Sequence, residues 1–397
     1  MKIFHTATDE EIKNGKTTDI YFVRTREVLE RKGMVDLAAH AEVTASSLPE
    51  GWPWGVLCGV EEVARLFEGR PVTVRSLPEG TIFRARDLSG LRVPVLTVSG
   101  RYVDYCELET PMLGMLCQAT GAATMAARIR KLAWGKTLMA FGIRRAHPAI
   151  APMLDRAAYI GGFDGVSSLI GAETVGEKPM GTMPHSLIIC FGDQRAAWRA
   201  FDEVMPPDVP RIALADTYYD EKAEVLMAAE ALGKRLAGVR LDTPGSRRGN
   251  MEEIVREIRW ELDVRGYRWV KIFVSGGISD RNIKELCEAG ADGFGVGTSI
   301  SNAPTVDFAM DIVEMGGRPV AKRGKLGGRK NVWRCRRCLE FLLTREDERA
   351  GRCPRCGGKM ESVLRPLLRD GKIEGRLPSP KEIRKYVMKQ LRRVEEI

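Results

Sequence analysis

The sequence predicts an α/β protein: a closed or nearly closed parallel barrel, preceded by a mostly antiparallel domain and followed by a small zinc-ribbon module. Three observations predict it. Between residues 137 and 300, short apolar segments alternate with amphipathic helical ones, the pattern of repeated strand–helix crossovers around a parallel sheet. Residues 35–105 alternate instead with a period of two, broken by Pro and Gly. Near the C-terminus, Cys335, Cys338, Cys353 and Cys356 form two C-x-x-C pairs separated by fourteen residues, a spacing that offers four thiolates to one tetrahedral zinc.

Taken in order, residues 10–33 read as helix, with Asp19 as a candidate cap and Gly33 as the stop. The segments LAAHAEV, VTVRSL, TIFRAR and VPVLTVSGRYV read as strands, with one short helix at 60–68. A helix from Pro111 to Trp134, rich in Met, Ala and Leu on several faces, reads as buried between domains. The parallel strands are TLMAF, a short one near GFDGVSS, HSLIICF, RIALAD, GVRLD, WVKIFVS and GFGVGT. Helices such as DQRAAWRAFDEV, DEKAEVLMAAEALGKRLA, MEEIVREIRWELDV and DRNIKELCEAG lie between them. No dinucleotide or Walker glycine fingerprint follows the first strand, which weighs against an open doubly wound sheet. The expected domains are 1–110, 111–317 and 318–397, the last carrying the four-cysteine zinc module at 333–360.

Composition narrows the functional classes. The chain has 397 residues, 44% hydrophobic and 29% charged, an ordinary globular balance. It has no run of eighteen apolar residues, and MKIFHTATDEEIKNGK lacks the apolar stretch of a secretory signal, so a cytoplasmic protein is expected. Cys58, Cys106, Cys117, Cys190 and Cys287 lie scattered in apolar segments, as buried thiols of a reducing compartment do. The net charge of +9 is uneven: residues 318–397 hold 24 Lys and Arg against 10 acidic residues, which leaves residues 1–317 at −5. One reading is a zinc ribbon that binds nucleic acid. The other, which we favour, is that a zinc with four thiolates carries a charge of −2 and attracts basic neighbours, since only Trp333 and Phe341 are candidate stacking aromatics there.

Polar outliers recur where the barrel strands should end: Arg144, Arg145 and His147; Asp164; His185; Asp216 with Thr217; Arg240 with Asp242; Ser275, Gly276 and Gly277; and Gly295, Gly297 and Thr298. Singly, each has an ordinary explanation as a helix cap or turn residue. Their recurrence at successive strand ends points to an active site built from the loops on that face. SGGIS (275–279) and GFGVGTS (293–299) resemble a phosphate cradle, because glycines let backbone N–H groups approach an anion.

With DIYF (19–22), FGIRR (141–145), MPHSLI (183–188), ADTYYDEK (215–222), VRLDTPG (239–245), SGGIS, GVGTS (295–299) and GRPVAKRGK (317–325), the chain resembles nicotinate phosphoribosyltransferase. It is similar to the shorter archaeal or bacterial kind with a cysteine zinc site, within the type II phosphoribosyltransferases. The resemblance runs in consistent order over residues 15–360. It implies an N-terminal α/β sandwich-like domain, an irregular TIM-like α/β barrel, and a homodimer or higher oligomer with the active site at the subunit interface. It implies transfer of phosphoribosyl from phosphoribosyl pyrophosphate to nicotinate, coupled to ATP hydrolysis, with Mg2+ and a structural Zn2+.

The same resemblance assigns residues. Phe141 and Tyr21, the latter from the neighbouring subunit, would sandwich the pyridine ring, and Arg144 would pair with the carboxylate. Asp242 would hold the ribose hydroxyls beside Arg240. Asp164, Ser275, Gly276, Gly297 and Thr298 would bind substrate, with the last two and Gly276 on the 5′-phosphate, and Lys322, with Arg323 or Lys325, would reach the pyrophosphate. His185 would accept phosphate from ATP or, unphosphorylated, position substrate. His147 and His40 read as structural. Related nicotinamide-using enzymes carry an aromatic residue at the position of Ile143 and an Asp-containing loop at SGGIS, which favours the acid over the amide. Quinolinate phosphoribosyltransferase, with its need for more cations, is a minor alternative kept by Arg144 and Arg145.

Overall fold

The computed structural model describes residues 3–247 and 249–395. These divide into two compact units, one made of the chain up to Thr124 together with Ala303 onward, the other of Met125–Asn302. The first unit is built on a seven-stranded antiparallel sheet. Within it, Ala38–Ala45 pairs with Phe308–Met315 on one side and with the central strand Pro94–Arg101 on the other. Pro94–Arg101 pairs with Val72–Ser76, which pairs in turn with Arg365–Arg369. Val72 and Val74 are buried on one face while Arg75 is exposed on the other, the alternation expected of a strand with one face on the core. Residues 308–315, which fall in the range expected for the barrel, thus complete a sheet begun in the first hundred residues.

The single helix expected over 10–33 is two, Asp9–Lys13 and Ile20–Arg31. Thr8 and Glu11 form a reciprocal capping box on the first, and Gly15, at φ +75°, turns the chain out of it. Asp19 occupies the cap position of the second but does not bond its N–H groups; its carboxylate accepts from the Thr110 hydroxyl at 2.9 Å instead. The long helix is Glu109–Leu132. Its small residues permit close contacts: a Cβ on Gly121 would lie 2.2 Å from the Pro304 carbonyl oxygen.

The second unit holds six parallel strands in the order Gly165–Val166, Thr137–Ala140, Gly293–Val296, Lys271–Ser275, Leu236–Leu241 and Arg211–Leu214. Among the described residues the two outer strands do not pair with each other, so the sheet is an open half-barrel rather than a closed one. The missing strand is HSLIICF, which forms the helix His185–Phe191. A short apolar run does not by itself distinguish a buried strand from a helix turn. Here the exit decides: Gly192 takes φ +70° and donates its N–H to Ile188, closing the helix in a left-handed cap. Ile188 alone in the helix is buried, whereas a strand inside the barrel would bury most of its apolar residues.

The C-terminal region adds a three-stranded antiparallel sheet, Phe341–Arg345, Lys330–Cys335 and Met360–Ser362, and the helix Pro380–Leu391. Arg334, buried in this sheet, donates to the Ile82 carbonyl at 2.9 Å and the Gln390 amide oxygen at 2.7 Å, tying strand, helix and the early chain together.

Gly121→Ala separates two opposed effects. Alanine favours a helix by about 1 kcal/mol over glycine, whereas overpacking costs roughly 1–3 kcal/mol, and the obstructing atom is a backbone oxygen that cannot rotate away. The variant should unfold at lower denaturant concentration than wild type; an equal or higher midpoint would show that the Pro304 backbone yields freely.

Candidate active site

The C-terminal ends of three adjacent parallel strands carry a connected set of polar side chains. Asp216 follows Arg211–Leu214, and its side chain is 2% exposed. One carboxylate oxygen accepts the Asp242 N–H at 2.6 Å and the Thr243 hydroxyl at 2.9 Å. The other oxygen is buried without a hydrogen bond, 3.9 Å from Nε2 of His185. Burial pushes the Asp216 carboxyl above the usual aspartate range, against the two donors that favour its charge. Asp242 follows Leu236–Leu241; its Oδ1 accepts the Ser275 hydroxyl at 2.8 Å, and its Oδ2 lies 3.6 Å from Arg240 and 3.9 Å from His185 Nε2. Arg240 donates to the Thr182 hydroxyl at 2.5 Å, while its Nε is buried without a partner; burial lowers its guanidinium from the usual arginine value.

His185 opens its helix and does not end a strand. Its Nδ1 lies 3.0 Å from the Thr217 hydroxyl, which leaves Nε2 facing the two carboxylates at distances too long for a hydrogen bond. Gly276 and Gly277 follow Ser275 at φ +82° and +73°, a conformation that favours glycine, and a Cβ on Gly276 would lie 3.3 Å from Asp242 Oδ1. Asn282 accepts the Ser279 N–H and donates to the Gly277 carbonyl, and Ser299 donates to the Ile278 carbonyl, so this loop is held from both sides. Gly297 precedes the short helix Thr298–Ser301.

Phe141 leaves Thr137–Ala140 half-buried against the cluster of Met139, Ile212 and Phe273, on which Met180 also packs. A Cβ on Gly295 would lie 2.4 Å from its ring, so glycine there is what admits the aromatic. Arg144 and Arg145 follow in the next turn, and Arg144 is near enough to Arg240 to disfavour its charge. His147 caps the turn after that through Nδ1, and His40 bonds Ser99 in the antiparallel sheet, as structural histidines do.

Asp164 does not join this set. It precedes Gly165–Val166 at the opposite end of the strands, where its carboxylate accepts the Leu138 N–H at 2.9 Å and pairs at 2.6 Å with Arg130. The Arg130 side chain, 4% exposed, also donates to the carbonyls of Gly162 and Lys136. A buried guanidinium needs that carboxylate, so Asp164 is part of the fold.

Tyr21 and Lys322 belong to the first unit. Tyr21 is 55% exposed on the helix Ile20–Arg31, with its hydroxyl 3.4 Å from Asp19. Lys322 and Lys325 pair with the buried Asp311 at 2.6 and 2.5 Å. The cysteine sulfurs of Cys335, Cys338, Cys353 and Cys356 lie within 4.8 Å of one another, with Cys335–Cys356 at 3.4 Å and Cys338–Cys353 at 3.5 Å. Four sulfurs at about 2.3 Å from one zinc stand roughly 3.8 Å apart. The group can hold a metal ion.

Glu224, which lies outside the quoted motifs, and Glu221, within ADTYYDEK but not singled out there, hold the loops. Glu224 accepts the N–H groups of Thr217, Tyr218 and Tyr219 at 2.9, 2.7 and 3.0 Å, and Glu221 accepts the Thr243 hydroxyl at 2.6 Å. Their only sequence signal is an acid in the first turn of a helix, which is common.

Comparison with known proteins places this arrangement. Residues 19–120 and 122–311 match the N-terminal and C-terminal domains of the family described as quinolinate phosphoribosyl transferase. The nicotinate phosphoribosyltransferase pncB1 of Mycobacterium tuberculosis is 31% identical over 91% of this chain and 87% of its own. The chain belongs to the nicotinate phosphoribosyltransferase family. A crystal structure of nicotinate-nucleotide pyrophosphorylase from Pyrococcus furiosus superposes with a TM-score of 0.95 at 55% identity, covering 99% of both chains. The structure of human nicotinic acid phosphoribosyltransferase shares the family fold, with a TM-score of 0.76 at 23% identity over 95% of this chain and 94% of that one.

Glu109, at the start of the long helix, provides a pH test. Burial, then Asp311 against Lys322, pushes its carboxyl from the ordinary 4.5 to about 7. The native state therefore binds a proton that the unfolded chain releases, and this contribution to stability is full below pH 4.5 and lost as pH rises through 7. Glu109→Gln should flatten that decline when unfolding is measured at about pH 5 and pH 8. Parallel pH profiles for wild type and variant would refute it.

Proposed function

We propose that this chain is a phosphoribosyltransferase of NAD biosynthesis that joins nicotinate to the phosphoribosyl group of phosphoribosyl pyrophosphate and releases pyrophosphate. The observation that carries this reading is the carboxylate of Asp242, held by Ser275 beside Arg240 and next to the left-handed glycine Gly276. As pyrophosphate leaves, positive charge develops on the sugar, and a fixed carboxylate at the ribose stabilises it. Held by Ser275, Asp242 has little reorientation left to make at that moment.

In this reading Phe141 presents an aromatic face to the pyridine ring, with Tyr21 supplied by a second subunit as the other face. Arg144 recognises the carboxylate, for which a planar guanidinium is suited. The SGGIS and GVGTS loops, with Gly276, Gly297 and Thr298, take the 5′-phosphate. Lys322 exchanges Asp311 for pyrophosphate, with Mg2+ as counter-ion to the phosphates. ATP couples through phosphorylation of His185: its Nδ1 is engaged by Thr217, which leaves Nε2 as the nucleophile. Cys335, Cys338, Cys353 and Cys356 hold a structural zinc, since four thiolates close the tetrahedron and leave no position for catalysis.

An assay with phosphoribosyl pyrophosphate and nicotinate, nicotinamide or quinolinate, with and without ATP, tests the reading. Nicotinate should be turned over fastest, and ATP should raise the rate. Arg144→Gln should weaken nicotinate about tenfold or more while leaving an uncharged pyridine nearly unaffected. Preferential use of quinolinate would overturn the acceptor assignment, and equal losses for acid and amide would move Arg144 to the phosphates.

Metal analysis of purified protein should find one zinc per chain. Cys353→Ser should lose it and lower the melting temperature while leaving the parallel unit folded. Metal-free wild-type protein with oxidised thiols would refute the zinc assignment.

A further inference from the structure

Glu224 is fully buried in the first turn of the helix Glu221–Leu232, yet among the described residues it pairs with neither an arginine nor a lysine. Its three hydrogen bonds come from consecutive backbone N–H groups: Thr217 on one oxygen, Tyr218 and Tyr219 on the other. Successive N–H groups pointing to one place form an anion-binding concavity, the kind of feature that elsewhere takes phosphate. In this chain the anion is supplied internally. The loop so fixed begins at Asp216 and Thr217, and these two residues meet both nitrogens of His185: the Thr217 hydroxyl at 3.0 Å from Nδ1 and Asp216 at 3.9 Å from Nε2. Glu221, one turn earlier, secures the same loop from the far side through Thr243, whose hydroxyl also reaches Asp216 at 2.9 Å.

We propose that Glu224 is a positioning residue for the reaction, setting which nitrogen of His185 faces the reacting groups by holding the Asp216–Tyr219 loop. The proposal rests on the transferase reading. A helix acid that merely complements the helix dipole would have no reason to be wholly buried, since that interaction needs only proximity to the first turn. A carboxylate desolvated to this extent is retained at a cost that several N–H donors offset. The backbone it secures is the one that carries the histidine's partners. The side chain of Thr217 is placed by its own N–H bond to Glu224, so the link from Glu224 to the imidazole passes through one residue.

Glu224→Gln tests this because the amide keeps the size and one acceptor oxygen but sets an NH2 against a backbone N–H. Thr217→Val tests the same link from its other end and removes only a hydroxyl. The imidazole nitrogen NMR signals of His185, identified by their loss in His185→Asn, should shift toward the other tautomer in both variants. Each should lower kcat about tenfold or more with KM for nicotinate changed less than about twofold, the pattern of a group that acts in the chemical step. Combined, they should cost little more than either alone, since residues acting through one link are not additive. Additive losses, or unchanged His185 signals in folded Thr217→Val, would overturn the proposal. So would Glu224→Gln that lowers the melting temperature while leaving the nitrogen signals and kcat as in wild type. Wild-type protein with no transferase activity would refute the reaction instead, and the same NMR comparison of single and double variants would still decide whether Glu224 orients His185.

Discussion

A carboxylate cut off from water must find donors, and Asp216 finds them in the neighbouring loop. Its bonds to the Asp242 N–H and the Thr243 hydroxyl join the chain after Arg211–Leu214 to the chain after Leu236–Leu241. Asp242, placed in this way, accepts from Ser275 at the end of Lys271–Ser275. The three strands are consecutive neighbours in the sheet, so one hydrogen-bonded path crosses their ends. Each member is short-tethered to a strand terminus, and the sheet's own ladder sets their spacing. What the path leaves without a bond is equally specific: one oxygen of Asp216 and the Nε of Arg240, both buried. Unsatisfied buried polar atoms are costly, and these two belong to the same connected set of side chains as His185.

How much of this is readable from residues alone follows from range. The alternation of strand and helix over 137–300 is legible because periodicity is local, and the cysteine pairs are legible because metal chemistry constrains their spacing. Arg240, Asp242 and Ser275 can be placed together because each ends a recognisable strand. HSLIICF cannot be told from a strand, since five apolar residues in a row satisfy both periods and the deciding feature is the left-handed Gly192 beyond them. Asp164 is misplaced by its sequence because Gly165–Val166 is two residues long, so a shift of that size carries a side chain from one end of the sheet to the other. Glu224 leaves no trace, because its partners are backbone N–H groups, which every loop possesses.

The uneven charge of the chain also acquires a physical meaning. Four of the basic residues after residue 317 meet acids that precede it, within the first unit: Lys330 pairs with Glu42, Arg329 with Glu314, and Lys322 and Lys325 with Asp311. Glu42 and Asp311 are both buried. Part of the asymmetry is therefore met internally, by nearby acids for Lys322, Lys325 and Arg329 and across most of the chain for Lys330 and Glu42. Arg334 makes the same point without an acid, using a carbonyl and an amide in place of a counter-charge.

The pairing of Ala38–Ala45 with Phe308–Met315 sets an order on synthesis. The chain enters the antiparallel unit, leaves it at Thr124, completes all of Met125–Asn302, and only then returns. On the ribosome the parallel unit has its whole complement of strands before Ala38–Ala45 has its second neighbour. The strand that ends at Ala45 must wait, with one edge open, for a partner that begins at Phe308. Loop-closure entropy makes that pairing slow, and an open edge strand is an invitation to the wrong partner. The insertion of Met125–Asn302 thus makes the other unit the vulnerable one during birth, dependent on a segment that has yet to emerge.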